Sequence, residues 1–191
     1  ELLELAGKGR AVEEAPTPEF KAVPVAPSEL KPGLVGEYYY GTDFESLAAR
    51  RLMGVMPEDM ALLELLTGAQ YLHFVGRMYG LADAEIDKRG QELFDTLDLR
   101  PGHKTLVADY SFGMKKKLAL CAALIHGPRL LFLDEPFEGI DAITNRTIKD
   151  ILLALQQKGV TLVLTSHILE VVEKLCPLIA IIDEGKLKGF G

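Results

Sequence analysis

Two adjacent carboxylates, Asp134 and Glu135, end the apolar run Leu130-Leu131-Phe132-Leu133 and are closed off by Pro136. Four large apolar residues in a row read as a strand buried on both faces, the pattern of a central parallel strand. Pro136 lacks an N–H and stops further pairing. Open α/β sheets bind ligands beyond the carboxyl ends of their strands. An Asp-Glu pair there suits magnesium and water chemistry on a phosphate. A strand running into an acidic turn is the plainer reading of the same residues.

Other polar residues fall at similar places. Glu58 follows the apolar run Leu52-Met53-Gly54-Val55-Met56 through Pro57, and His167 follows Val160-Thr161-Leu162-Val163-Leu164-Thr165 through Ser166. Taken singly, Glu58 reads equally as a solvated acid and His167 as a structural hydrogen bonder. Together with Asp134 and Glu135 they share a pattern: each ends a β-run that leads toward a helix. Parallel strands would set all four along one sheet edge. Ser111-Phe112-Gly113-Met114 opens a further helix. Ser111 is a good N-cap. The free N–H groups of a helix start favour an anion by about 0.3–1 kcal/mol, or ~2 when partly buried. Gly113 would let a phosphate approach the backbone. An ordinary cap followed by a solvated Lys115-Lys116-Lys117 face explains the same stretch. Asp141 is placed to cap the helix carrying Ile143, Ile148, Ile151, Leu152 and Leu155, which Gly159 ends.

The elements that must hold these residues are legible in outline. The chain has 191 residues, 48% of them hydrophobic, enough for one domain with a sizeable core. Its net charge of −7 argues against nucleic acid or an anionic membrane as the main partner. Cys121 and Cys176 have no metal-ligand spacing and suit a reducing cytosol. No apolar run approaches the ~18 residues of a membrane span, so a membrane role is expected through another chain. Five of the ten prolines fall between Pro16 and Pro32 and break regular structure there. Ala6-Gly7-Lys8-Gly9 reads as a turn.

Ala61 to Leu99 is helical in pattern. Leu62, Leu65, Leu66, Ala69, Leu72 and Val75 form one apolar face that Gly80 ends; Ile86, Leu93, Phe94 and Leu97 mark a second helix, closed by Pro101-Gly102. Tyr71, His73 and Met78 read as core or surface of these helices. The helix Leu118 to Ile125 is apolar all round and therefore buried, with Gly127-Pro128 as its stop. Leu178 to Ile182 is a further strand, turned by Asp183-Glu184-Gly185-Lys186 into a final short one.

From about Leu52 onward the sequence resembles the ATP-binding cassette (ABC) transporter ATPases, with four motifs in order. Leu130 to Glu135 looks like the Walker B strand, Ser111 to Met114 like the signature motif, Asp141 like the D-loop acid and His167 like the switch histidine. The signature departs from the family where Phe112 replaces a glycine and Met114 a glutamine. Glu58 stands where the family has its Q-loop glutamine. The resemblance implies an α/β fold: a P-loop NTPase core with a mostly parallel sheet, an antiparallel β edge and an inserted helical subdomain. The core would be 1–58 and 119–191, and the subdomain 59–118 with the signature at its end.

The resemblance also implies roles. Glu135 would polarise the attacking water and His167 would contact the γ-phosphate. Gly36, Ser111, Gly113, Asp134, Asp141 and Glu58 would line ATP, with Asp134 and Glu58 toward Mg2+. The partners would be a transmembrane permease subunit and a second copy of the ATPase domain, at the cytoplasmic face of the cell membrane, without nucleic acid. The motifs look most like the exporter branch. Two other readings stay open: a soluble ABC-type ATPase acting on DNA or ribosomes, and a non-hydrolysing regulatory module.

The second reading arises because the family's GxxxxGK[ST] phosphate loop is absent. It should follow Leu34-Val35-Gly36, yet Gly36 meets Glu37-Tyr38-Tyr39-Tyr40 directly, with no turn chemistry between. A dropped segment of about 25 residues, loop plus helix plus connection, would account for the junction. The adenine-stacking aromatic has only Phe20 as a weak candidate.

Overall fold

The computed structural model describes residues 52–100 and 104–190. Gly36, the junction at Glu37, Phe20, the N-terminal prolines and Pro101-Gly102 lie outside the described residues.

Three parallel strands order the fold: β1 (Met53–Met56), β2 (Leu130–Asp134) and β3 (Thr161–Thr165), with β2 in the middle. Met56 pairs with Leu133 and Asp134 with Thr165, so the three carboxyl ends lie side by side. Between β1 and β2 run helices α1 (Gly68–Met78), α2 (Asp83–Thr96) and α3 (Phe112–Leu124), with a short 3-10 turn at Val107–Asp109 before α3. Helix α4 (Ala142–Gln157) carries the chain from β2 to β3, and α5 (Leu169–Leu175) follows β3. An antiparallel pair, β4 (Ala180–Asp183) and β5 (Lys186–Phe190), ends the described chain.

The core gathers around α3, whose Leu118, Ala119, Leu120, Cys121, Ala122 and Ala123 are all buried. This matches the all-round apolar pattern. The helix reaches β1 because Gly54 has no side chain: a Cβ there would lie 2.2 Å from the Ala123 carbonyl oxygen. Leu72 of α1 and Ile86 and Leu93 of α2 are buried in the same core, as are Ile148 and Leu152 of α4.

Three expectations are corrected. The first helix starts at Gly68, not Ala61. Thr67 and Gln70 form a capping box, and the carbonyls of Glu64 and Leu66 accept from the N–H groups of Ala108 and Val107 instead of from a helix. The second helix ends at Thr96, ahead of Pro101, with Asp98 at φ +47° supplying the left-handed turn.

The third concerns the sheet, which is not buried on both faces among the described residues. Leu131 and Leu133 are buried, whereas Phe132 is half-buried and Val55 and Val163 are 39% and 45% exposed. The antiparallel strands are present as expected, in a two-stranded hairpin turned at Glu184 and Gly185, both with positive φ. All of β4 is exposed.

Candidate functional site at the carboxyl edge of the sheet

Glu135 is the first residue beyond β2, and three elements hold it. Its N–H donates to the Thr165 carbonyl of β3 at 3.2 Å, and its own carbonyl accepts from Lys116 Nζ of α3 at 2.7 Å. Its Oε1 accepts from the His167 N–H at 2.9 Å and lies 3.0 Å from His167 Nδ1. Its Oε2 is buried with no hydrogen-bond partner among the described residues. The backbone at Glu135 is left-handed, with φ +44°. Such a conformation costs a non-glycine residue about 1–3 kcal/mol and persists only where its surroundings over-determine it. Here the three anchors do so.

His167 is mostly exposed, at 65% of its side chain, against 16% for Glu135. The hydrogen bond and charge of Glu135 raise its pKa above the ordinary imidazole value, and the charges of Glu138 and Glu58 add to this. Asp134, one residue earlier, accepts a hydrogen bond from the Thr165 hydroxyl. Glu58 is exposed beyond β1, near enough for its charge to act on both His167 and Lys116. Glu58, Asp134, Glu135 and His167 therefore do meet along one edge.

Ser111, Gly113 and Asp141 form a neighbouring group. Ser111 Oγ accepts from the Met114 N–H at 3.2 Å, and a Cβ on Gly113 would lie 3.6 Å from Asp141 Oδ2. Both carboxylate oxygens of Asp141 are engaged: Oδ1 takes the N–H groups of Ile143 and Thr144, and Oδ2 the Thr144 hydroxyl. The Thr144 N–H, ahead of its hydroxyl, draws the Asp141 pKa down. Here Asp141 is a helix cap. Gly36 lies outside the described residues.

Sequence reasoning missed two members of the site. Thr165 read only as the end of a strand. The three lysines read as a solvated face, and that is corrected. Lys115 pairs with Glu64 at 2.5 Å, Lys117 donates to the Asp98 carbonyl at 3.4 Å, and Lys116 is 1% exposed. Lys116 sits at the start of a helix that is apolar all round, which was the available signal. Burial pushes its pKa down, against the opposing charges of Glu138, Glu58, Glu135 and Asp134.

No cluster of three or more His, Cys, Asp or Glu among the described residues could hold a metal ion by itself. An oxygen-only pair such as Asp134 and Glu58 still suits Mg2+, which binds through one or two carboxylates, waters and substrate phosphates.

The family model described as "AAA domain, putative AbiEii toxin, Type IV TA system" matches residues 37–173. The chain belongs to this AAA-domain family. Its relatives include ATP-binding proteins of ABC transporters. The linearmycin resistance ATP-binding protein LnrL of Bacillus subtilis is 38% identical over 157 residues, 82% of this chain and 50% of that protein. A solved ATP-binding subunit of an ABC transporter superposes with a TM-score of 0.69 at 30% identity, over 76% of this chain and 60% of its own. A dimeric ATP-binding cassette in a post-hydrolysis state, bound to ADP and Pi, has a TM-score of 0.68 at 20% identity, over 76% and 64% of the two chains. That likeness shows the fold alone. The AAA domain thus has the P-loop NTPase fold of the ABC ATPases, and it spans about half the length of LnrL. No helix among the described residues is long and apolar enough to cross a membrane.

Proposed function

We propose that this AAA domain is the ATP-binding and ATP-hydrolysing subunit of an ABC exporter. One observation carries the reading. Glu135 keeps Oε2 buried and unpartnered while His167 occupies Oε1. A carboxylate with one oxygen anchored and the other still without a hydrogen bond is suited to take the proton of a water once nucleotide binding brings one to it. A positioned general base contributes ~10²–10⁴ in rate. Phosphoryl transfer otherwise needs placement and charge neutralisation. The imidazole of His167, exposed and drawn toward its charged form, would meet the γ-phosphate. Asp134 and Glu58 would hold Mg2+, which when bound neutralises phosphate charge.

ATP would lie between this domain and a second copy, whose Ser111 and Gly113 would face the phosphates. The core would comprise 1–58 and 119–191, with the helical subdomain at 59–118 docking a transmembrane permease on the inner face of the membrane. The export direction is supported by the drug-resistance name of LnrL and the form of the signature motif.

A second reading, a non-hydrolysing regulatory module, is favoured by one fact: no GxxxxGK[ST] occurs in the 191 residues. Two measurements separate them. Sequencing the coding region across codons 36 and 37 is expected to reveal about 25 further residues with the phosphate loop. Purified protein is expected to hydrolyse ATP with Mg2+. An uninterrupted Gly36-Glu37 codon pair, together with ATP left intact, would establish the module instead.

A further inference from the structure

We propose that Lys116 is a positioning residue for Glu135: its buried ammonium, bonded to the Glu135 carbonyl, sets the turn that aims the Glu135 carboxylate at His167. Lysine is almost never fully buried unless it is paired. Lys116 is 1% exposed, and its Nζ lies 2.7 Å from the Glu135 carbonyl oxygen. The carboxylates whose charges reach it belong to Glu138, Glu58, Glu135 and Asp134. It therefore sits as a buried cation beneath the acidic edge.

The backbone geometry of Glu135 makes that bond consequential. The residue is left-handed, at φ +44°, without being glycine. Its N–H is held by Thr165, its side chain by His167 and its carbonyl by Lys116. With the carbonyl released, the left-handed turn at Glu135 keeps only two of its anchors, Pro136 favours extended backbone at the residue before it, and the carboxylate would move away from His167 as φ at Glu135 relaxes.

A second contact ties the same stretch of α3 to the loop after β2. Lys116 Nζ lies 5.6 Å from the centre of the Phe112 ring, and a Cβ on Gly139 would meet that ring at 2.7 Å. Gly139 has φ +69°, so its loop is turned to admit the ring. Helix α3 thus touches the Glu135–Gly139 turn through both Lys116 and Phe112.

The test is an NMR titration of the His167 imidazole in the full chain and in Lys116→Met and Lys116→Arg. Loss of a nearby positive charge would by itself raise the His167 pKa. Loss of positioning takes Glu135 away from His167 and lowers it toward the ordinary value of about 6.5. The two effects have opposite signs. We expect a fall in Lys116→Met and a value close to wild type in Lys116→Arg. An unchanged or raised His167 pKa in folded Lys116→Met overturns the inference, and Lys116→Gln is read by the same criterion if the Met variant does not fold. The kinetic arm rests on the proposed ATPase: kcat should fall about ten- to a hundred-fold with KM unchanged, and Arg should restore it. A wild-type chain without turnover would sink that function, and the titration would still decide the role of Lys116.

Discussion

His167 and Glu135 show how one contact carries a pH dependence. The glutamate raises the imidazole pKa in the folded chain. Stability from the charged pair is therefore fully present below the unfolded imidazole value, about 6.5. It is lost as pH rises through the higher folded value. His167→Ala is accordingly expected to lower Tm more at pH 6 than at pH 9, read by thermal unfolding at matched ionic strength. An equal loss at both pH values would mean that the pair is not charge-assisted. Asp141 has the opposite sign. Its folded pKa is depressed by the Thr144 N–H, so its contribution is present above the usual aspartate value and lost as pH falls through the folded one. The α4 cap is therefore one contributor to acid-side loss, alongside Asp83 with Arg77 and Glu170 with Lys174, whose carboxyls are also held below their ordinary values.

At the scale of elements, the approach of α3 to β1 rests on one missing side chain. A Cβ on Gly54 would lie 2.2 Å from the Ala123 carbonyl and 2.9 Å from Leu131 Cδ1. The first neighbour is backbone and cannot rotate aside. Gly54→Ala should destabilise the fold by about 1–3 kcal/mol, seen as a lower denaturant midpoint with an unchanged slope. Thr67→Ala should cost about 1 kcal/mol through loss of the α1 capping box. Its circular dichroism should show a folded chain, since the packing of α1 on α2 is untouched.

These two sites also show what a sequence reveals. Strand β2, the caps Ser111 and Asp141 and the buried helix α3 were legible because local pattern and tertiary environment agree. The start of α1 was not, because Leu62, Leu65 and Leu66 continue the apolar period beyond a Thr-x-x-Gln box that signals the true boundary. Lys116 was hidden by its charge, which ordinarily means solvent. The left-handed turn at Glu135 was hidden because nothing about a glutamate requires positive φ. The meeting of Glu58, Asp134, Glu135 and His167 was legible, since parallel strands leave only one edge for carboxyl-end residues. Which of them touch was not: Thr165 joins Asp134 to Glu135, and its hydroxyl carries no sequence signal of that role.

At the scale of the molecule, the edge holds more carboxylates than cations among the described residues. Glu58, Asp134, Glu135 and Glu138 stand near Lys116 and His167, within a chain of net charge −7. Such an edge repels the phosphates of ATP unless divalent cation and further donors arrive with the nucleotide. Under the proposed function, those donors include the Ser111–Gly113 helix start of a second copy, so nucleotide binding and association of two copies become linked. Glu135→Gln removes one negative charge and the proton acceptor together while keeping the shape of the side chain. It should retain ATP, lose turnover by ~10²–10⁴ and shift from monomer to dimer when ATP and Mg2+ are added, measured by light scattering. Wild type should show that dimer only transiently, because hydrolysis removes the ligand that bridges the halves. If Glu135→Gln turns over at the wild-type rate, Glu135 is not the base. If it loses turnover but stays monomeric with ATP bound, the nucleotide is held within one chain and the shared site is wrong.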